Sequence, residues 1–154
     1  MAAAQLCPGE LVVDLGAGTG SLTVPLAEAG ARVIAVELHP RRAEELRRRL
    51  RGYDAVVVER ELGTFRPPGR PFRVVANPPF PETAAVLAML GAARRLVRAD
   101  LVLQRGVVRQ LEAGHRRSAR QLAASRVLDL PPAAFAPPPT VEVSLVPLRP
   151  RRRR

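Results

Sequence analysis

The sequence contains one cysteine, Cys7, no tryptophan and no lysine among its 154 residues. A lone cysteine excludes an internal disulfide and a metal site built on a cysteine cluster. No apolar run is long enough to span a bilayer, and the first residues lack the basic segment and apolar core of a secretory signal. We therefore expect a single soluble domain in the cytoplasm, monomeric, with no membrane partner and no metal.

All 25 basic residues are arginine, and the formal net charge is +11. A planar guanidinium donates two parallel hydrogen bonds to a phosphate and keeps its charge, so an arginine excess favours a polyanionic partner. An all-arginine composition is equally consistent with a GC-rich genome. The charge therefore favours nucleic acid as the partner without choosing between RNA and DNA.

Short apolar runs alternate with helical patterns along the chain. Strands are predicted at residues 11–15, 33–36, 55–58, 72–76, 101–103, 121–130 and 141–146, and helices at residues 40–50, 83–96 and 106–113, with a further helix ending at residue 30. This alternation predicts an α/β fold in which helices cover both faces of a mostly parallel sheet.

A glycine-rich turn follows the first predicted strand. Gly16, Gly18 and Gly20 let the backbone turn sharply and approach a ligand closely. Their G-x-G-x-G spacing differs from the spacing that brings a pyrophosphate onto a helix end, which favours a ligand without phosphates. Glu37 ends the second strand, where a carboxylate can accept hydrogen bonds from both ribose hydroxyls, and Leu38 would lie against a purine. These residues predict a nucleoside site.

The most specific motif is Asn77-Pro78-Pro79-Phe80, directly after the strand predicted at residues 72–76. The N6 amine of adenine is a poor nucleophile because its lone pair is delocalised into the ring. If the Asn77 side-chain oxygen and the Pro78 carbonyl accept its two N–H groups, the nitrogen becomes more tetrahedral as it attacks a methyl group. The prolines keep these acceptors aimed, and Phe80 can stack on an extruded base. The motif predicts an amine methyltransferase.

Four segments together resemble the rRNA adenine N6-methyltransferases, that is, the erythromycin-resistance (Erm) enzymes and the dimethyladenosine transferases of the KsgA type. They are residues 14–20, 36–38, 77–80 and 135–142. The resemblance covers about residues 9 to 148 and is closer to Erm at residues 70–76 and 100–105. It implies a Rossmann-like class I methyltransferase fold with a mostly parallel seven-stranded sheet and an antiparallel last strand. We expect a catalytic domain at 1–148, an arginine-rich tail at 149–154, and a short form without the family's helical C-terminal domain.

The resemblance implies S-adenosylmethionine as the cofactor. By position it assigns cofactor binding to Asp14, Gly16, Ala17, Gly18, Gly20, Glu37, Leu38, Glu61, Leu62 and Asn77. Glu61 stands where the family usually has an aspartate that accepts from the cofactor adenine, and glutamate keeps the acceptor on a longer side chain. The target adenine is assigned to Asn77, Pro78, Phe80 and Phe135, and Phe135 is equally consistent with a core residue.

The resemblance implies ribosomal RNA as the partner, and its Erm-like runs favour 23S rRNA while leaving open whether macrolide-type resistance results. Arg105, Arg109, Arg116 and Arg117 follow the end of a predicted strand, and we expect them to contact RNA phosphates, with ordinary surface as the alternative. Two other functions remain open. One is methylation of DNA adenine or of a protein glutamine amide, and the other is RNA binding without turnover.

Overall fold

The computed structural model describes residues 6–115, 119–125 and 127–151. Its strands are β1 (Leu11–Leu15), β2 (Arg32–Val36), β3 (Ala55–Val58), β4 (Phe72–Ala76), β5 (Leu96–Gln104), β6 (Leu122–Ala124), β7 (Leu128–Leu130) and β8 (Val143–Pro150). Its α-helices are α1 (Thr23–Glu28), α2 (Pro40–Arg49), α3 (Thr83–Ala92) and α4 (Arg105–Glu112). In these described segments, no helix has the length and apolar character to cross a membrane.

All the strands belong to one mixed sheet with the order β3-β2-β1-β4-β5-β8-β6, and β7 also pairs with β8. Strands β1 to β5 are parallel, and β8 runs antiparallel to β5. β6 pairs with residues 148–150 of β8, and β7 pairs with residues 143–145. The sheet is therefore seven positions wide, as predicted, and two short strands share its last position.

The single strand predicted at residues 121–130 is thus wrong, and Pro147 explains the break. Pro147 lies in β8 between the segments that pair with β6 and β7, and a proline has no N–H to donate to a ladder. Its carbonyl accepts instead from the Ser125 N–H at 2.9 Å, just past the end of β6. The chain therefore pairs with β8 on each side of the proline.

The helix predicted at residues 83–96 is too long. α3 ends at Ala92, and Leu96 already begins β5, where it pairs with Phe72 of β4. β5 lies between β4 and β8, and its pairing with β4 begins at Leu96 while its pairing with β8 covers residues 99–104. This long-range pairing outweighs the local helical periodicity.

Two apolar clusters hold the helices on the sheet. The larger joins β1, β4, β5 and β8 to α3 and α4 through residues such as Leu87, Leu90 and Leu101. The smaller joins β1 and β2 to α1 and α2 through residues such as Leu26 and Leu46. Full burial of a leucine contributes about 1.5–3 kcal/mol, so these layers hold the strand ends, and the loops that follow them, in place.

A buried ionic cluster crosses the middle of the sheet. Arg73 of β4 lies 3.3 Å from Oε2 of Glu10 and 3.3 Å from Oδ2 of Asp100, while Arg98 contacts Oδ1 of Asp100 at 2.6 Å. Arg73 and Asp100 are both buried. Charges at such depth are tolerated because their partners and hydrogen bonds offset the loss of water.

The arginine-rich tail expected at 149–154 begins inside a strand, because β8 continues through Pro150. Arg151 follows it with its N–H bonded to the Gln121 carbonyl at 2.7 Å, and its Nε donates to the Leu122 carbonyl at 3.1 Å. The expected domain boundary at residue 148 therefore falls within β8. Residues 152–154 lie outside the described part of the chain.

Candidate active site

The carboxyl ends of β1, β2 and β4 meet at one edge of the sheet, so the glycine turn, Glu37 and Asn77 follow neighbouring strands. The N–H groups of Gly16 and Ala17 both donate to the Val36 carbonyl of β2, at 2.9 and 3.0 Å. Gly16 and Gly18 have φ angles of 77° and 58°, which glycine adopts at little cost. The turn is thus anchored to β2.

Gly16 packs directly against the Asn-Pro-Pro-Phe turn. A Cβ atom added to Gly16 would lie only 2.8 Å from Cδ of Pro79. The two most informative motifs of the sequence therefore touch, and a side chain at position 16 would separate them. Gly20 packs against α2 instead, because a Cβ on Gly20 would lie 2.5 Å from Cδ1 of Leu46.

Glu37 is buried, and both of its carboxylate oxygens have partners. Oε2 accepts the Gly18 N–H at 2.8 Å, and Oε1 accepts the His39 N–H at 2.7 Å. Arg42 of α2 also reaches Oε1, at 3.0 Å from Nη2. Arg42 was not among the predicted site residues, although its place five residues after Glu37, in the first turn of the next helix, was a usable signal.

Asp14 is buried at the end of β1, and one of its oxygens is unsatisfied. Oδ2 accepts from the Thr23 hydroxyl at 2.7 Å, whereas Oδ1 has no hydrogen-bond partner among the described residues. Burial raises the pKa of Asp14 to about 7; the Thr23 hydrogen bond opposes this rise and the Glu37 charge adds to it. Oδ1 is a buried acceptor available to a ligand donor.

The Asn-Pro-Pro-Phe turn presents its polar and aromatic ends to solvent. Asn77 is exposed, Pro78 is buried, and Phe80 begins a short 3-10 turn with 38% of its surface exposed. Phe72, by contrast, is 2% exposed and belongs to the core. Phe80 is therefore an aromatic side chain that the core does not use.

The remaining expected site residues differ in exposure. Leu38 is exposed directly after β2, and Glu61 is exposed after β3. Leu62 is buried in the larger core cluster, which leaves its backbone rather than its side chain for a ligand. Phe135 is half-buried in the loop after β7, which opens at the same edge of the sheet as Asn77. Ala17 is buried in the smaller cluster.

The expected RNA contacts divide into two kinds. Arg105 begins α4 and is already paired with Glu142, at 3.2 Å, and with Asp129, at 3.8 Å. Arg109, one turn later, is exposed, and no carboxylate of the described residues pairs with it. Arg116 and Arg117 lie outside the described residues.

The sheet order, the antiparallel β8 and the glycine turn after β1 define a Rossmann-like class I methyltransferase fold. A magnesium protoporphyrin IX methyltransferase from Synechocystis shares this fold, with a TM-score of 0.68 at 19% identity. A family model described as ribosomal RNA adenine dimethylase matches residues 1–154. The chain belongs to the ribosomal RNA adenine dimethylase family.

The similar proteins include enzymes named for both ribosomal subunits. The ribosomal RNA small subunit methyltransferase A of Thermosynechococcus vestitus is 35% identical over 170 residues, which cover 99% of this chain and 63% of that protein. An rRNA methyltransferase of Streptomyces thermotolerans is 36% identical over 119 residues, covering 77% of this chain and 40% of that protein. The 23S rRNA methyltransferase ErmE has a TM-score of 0.81 at 29% identity, covering 97% of this chain and 65% of that structure. The chain thus spans less than two thirds of each of these relatives.

Proposed function

We propose that the chain transfers a methyl group from S-adenosylmethionine to the N6 amine of an adenine in ribosomal RNA. The observation that carries the proposal is the contact between Gly16 and Pro79, with 2.8 Å between Cδ of Pro79 and a Cβ placed on Gly16. This contact brings the glycine turn and the Asn-Pro-Pro-Phe turn side by side. A methyl donor held by the first and an amine held by the second would need no large movement to meet.

The residues present fit S-adenosylmethionine, which supplies an activated methyl group when bound. Gly16 and Gly18 keep the turn open to the methionine part of the cofactor, and the unsatisfied Oδ1 of Asp14 can accept a hydrogen bond there. Glu37 would receive the ribose hydroxyls, sharing its oxygens with Arg42. Leu38 and the segment at 61–62 would border the adenine ring.

Asn77 and Pro78 would hold the target amine. Their oxygens accept its two N–H groups, which localises the lone pair on nitrogen as the new bond forms. Phe80 and Phe135 would stack on the extruded adenine, because a base must leave its helix for N6 to reach the pocket. No strong base is required, since the proton of the methylated amine is acidic enough to pass to water.

Arg109 is the better candidate for a phosphate contact than Arg105. Its guanidinium has no carboxylate partner in the described chain, whereas Glu142 and Asp129 already offset the charge of Arg105. We propose that Arg105 instead ties α4 to β7 and to the end of the loop that carries Phe135. Arg116 and Arg117 remain proposed phosphate contacts from the sequence alone.

We propose 23S rRNA as the target, supported by the likeness to ErmE. The 35% identity to a small subunit methyltransferase favours 16S rRNA as the second candidate. The catalytic unit would comprise residues 1–148 with the rest of β8, acting as a cytoplasmic monomer. Resistance to macrolides would follow only from methylation of 23S rRNA.

The test is transfer of a tritiated methyl group from S-adenosylmethionine to 16S rRNA, 23S rRNA, DNA and a release-factor protein. We expect label in rRNA, recovered as N6-methylated adenosine, and primer extension would locate the adenine. Label in DNA or protein alone would refute the substrate. RNA binding without label in any substrate, together with calorimetric titration showing no cofactor binding, would identify a binding protein that has lost turnover.

A further inference from the structure

Three adjoining cavities lie along the edge of the sheet formed by the amino ends of its parallel strands. The first, of about 690 Å³, is lined in part by Arg94 and Arg95. It shares Arg94 with a cavity of about 220 Å³, which Arg151 also lines. Arg151 in turn borders a cavity of about 860 Å³ that includes Arg120. We call these three cavities, with their four arginines, the arginine groove.

The arginine groove lies at the opposite edge of the sheet from the candidate active site. Phe72, which lines it, begins β4, whereas Asn77 follows the last residue of the same strand. Pro150, at the end of the antiparallel β8, also borders the groove. A strand rises about 3.3 Å per residue, so roughly 15 Å separate the groove from the Asn-Pro-Pro-Phe turn. The two sites are therefore distinct.

The arginines of the groove are largely uncompensated. Arg94, Arg95 and Arg120 form no ion pair with any carboxylate in the described ranges. The Nε of Arg151 donates to the Leu122 carbonyl, so its two terminal guanidinium nitrogens remain to contact a ligand. Among the described residues that line the groove, Glu112 is the acidic one. Other arginines of the chain do have acidic partners. Because the groove arginines lack such partners among the described residues, positive charge is concentrated in the groove.

The shape and lining of the groove favour an extended polyanion. Met89, Pro67 and Pro68 are half-buried and give the first cavity an apolar wall beside its two arginines. A small anion would need one pocket, whereas three cavities that share residues suit a chain with charges at regular intervals. Proteins that bind single strands combine such a charged track with apolar or aromatic contacts to the bases.

We propose that the arginine groove binds a single-stranded segment of RNA, with phosphates on its arginines and a base against Met89, Pro67 and Pro68. The choice of RNA over other polyanions rests on the proposed function. The site would hold RNA without touching the reacting adenine. It would therefore strengthen RNA binding and leave the chemical step unchanged.

The test is fluorescence anisotropy with a labelled 12-nucleotide oligouridine at several salt concentrations. The groove variant is R94A/R95A, and the matched control is R48A/R51A, which removes two exposed arginines that likewise have no acidic partner in the described residues. We expect the groove variant to bind about tenfold more weakly. The plot of the log of the binding constant against log salt should become shallower by about 1.4, that is, by about 0.7 for each lost phosphate contact, while the control keeps the wild-type slope.

Equal losses in both double variants would overturn the proposal, because a general charge effect would then explain binding. It would equally be overturned if a labelled polyglutamate peptide bound as tightly as oligouridine and lost as much affinity in R94A/R95A. The proposed function is judged separately, by methyl transfer with the wild-type chain. Transfer without a groove effect would refute the groove alone, and a groove effect without transfer would refute the proposed function alone.

Discussion

The hydroxyl of Thr23, the first residue of α1, donates a hydrogen bond to Oδ2 of Asp14 in β1 across 2.7 Å, and both residues are buried. This bond leaves Oδ1 of Asp14 without a partner among the described residues, and burial is the main reason that the pKa of Asp14 rises to about 7. The Asp14 carboxyl group therefore titrates close to neutral pH.

Asp14 should make folding stability depend on pH. Its pKa is about 7 in the folded protein and about 3.9 in an unfolded chain, so the folded state binds the proton more tightly between these values. The free energy of unfolding should fall as pH rises from about 4 to 7, by at most about 4 kcal/mol, and level off above. Urea denaturation across pH 5–8 would measure this fall.

The matched variant is Asp14→Asn, which keeps the size of the side chain and removes the titration. Its unfolding free energy should change less with pH than that of the wild type. The difference in pH dependence between the two proteins should correspond to the titration of one group. Parallel curves for both proteins would show that Asp14 is not the group responsible.

Gly16→Ala should disrupt the contact between the glycine turn and the Asn-Pro-Pro-Phe turn. The new Cβ would meet Cδ of Pro79 at 2.8 Å, on a backbone with a φ of 77°. We expect a loss of about 2–4 kcal/mol in stability, combining backbone strain with overpacking, and at least tenfold slower methyl transfer.

Gly52→Ala is the control for Gly16→Ala, because Gly52 has a φ of 88° and a Cβ there would meet nothing within 4 Å. It should cost only the backbone strain of about 1–2 kcal/mol and leave methyl transfer unchanged. If the two variants behaved alike, the close approach of Pro79 would have no consequence.

Asn77→Ala should slow methyl transfer strongly while leaving cofactor affinity within about threefold. Removal of one preorganised hydrogen-bonding group from a transition state costs about 100-fold to 1,000-fold in rate. Single-turnover transfer and calorimetric titration with S-adenosylmethionine would separate the two effects. Asn77→Asp, which retains an acceptor oxygen, should keep more activity than the alanine variant. Loss of cofactor binding together with transfer would instead place Asn77 in the cofactor site.

Asp100→Ala should destabilise the fold strongly, because it leaves Arg73 deep in the sheet without one of its acidic partners. Breaking a buried ion pair costs about 3–5 kcal/mol. Asp54→Ala removes the partner of Arg32 in an exposed pair and should cost less than about 1 kcal/mol. Thermal denaturation of both variants would measure the contrast, and similar melting temperatures would contradict it.

β1 and β4 could be predicted because they lie inside the sheet and consist mostly of apolar residues that are buried. β1, β3 and β4 have the predicted bounds. When these strands are parallel, the residues that follow them lie at the same edge of the sheet. The apolar pattern was therefore enough to predict that the glycine turn, Glu37 and Asn77 lie close together.

The features that the sequence did not reveal depend on distant partners. The start of β5 at Leu96 is decided by its pairing with Phe72 of β4, and the break between β6 and β7 by Pro147, about 20 residues further along the chain. The contact of Arg42 with Glu37 requires the orientation of α2. The strand predicted at residues 141–146 stops one residue before Pro147, whereas β8 runs from Val143 to Pro150 and includes this proline, where the ladder is interrupted.

The interruption at Pro147 divides the outer border of the sheet into two independent halves. β6 is attached beside Arg151 and the arginine groove, while β7 is attached beside Asp129 and the loop that carries Phe135. β6 and β7 form separate sets of hydrogen bonds with β8, so either strand can detach while the other stays paired. The amide protons of β6 and β7 should therefore exchange with solvent at unrelated rates.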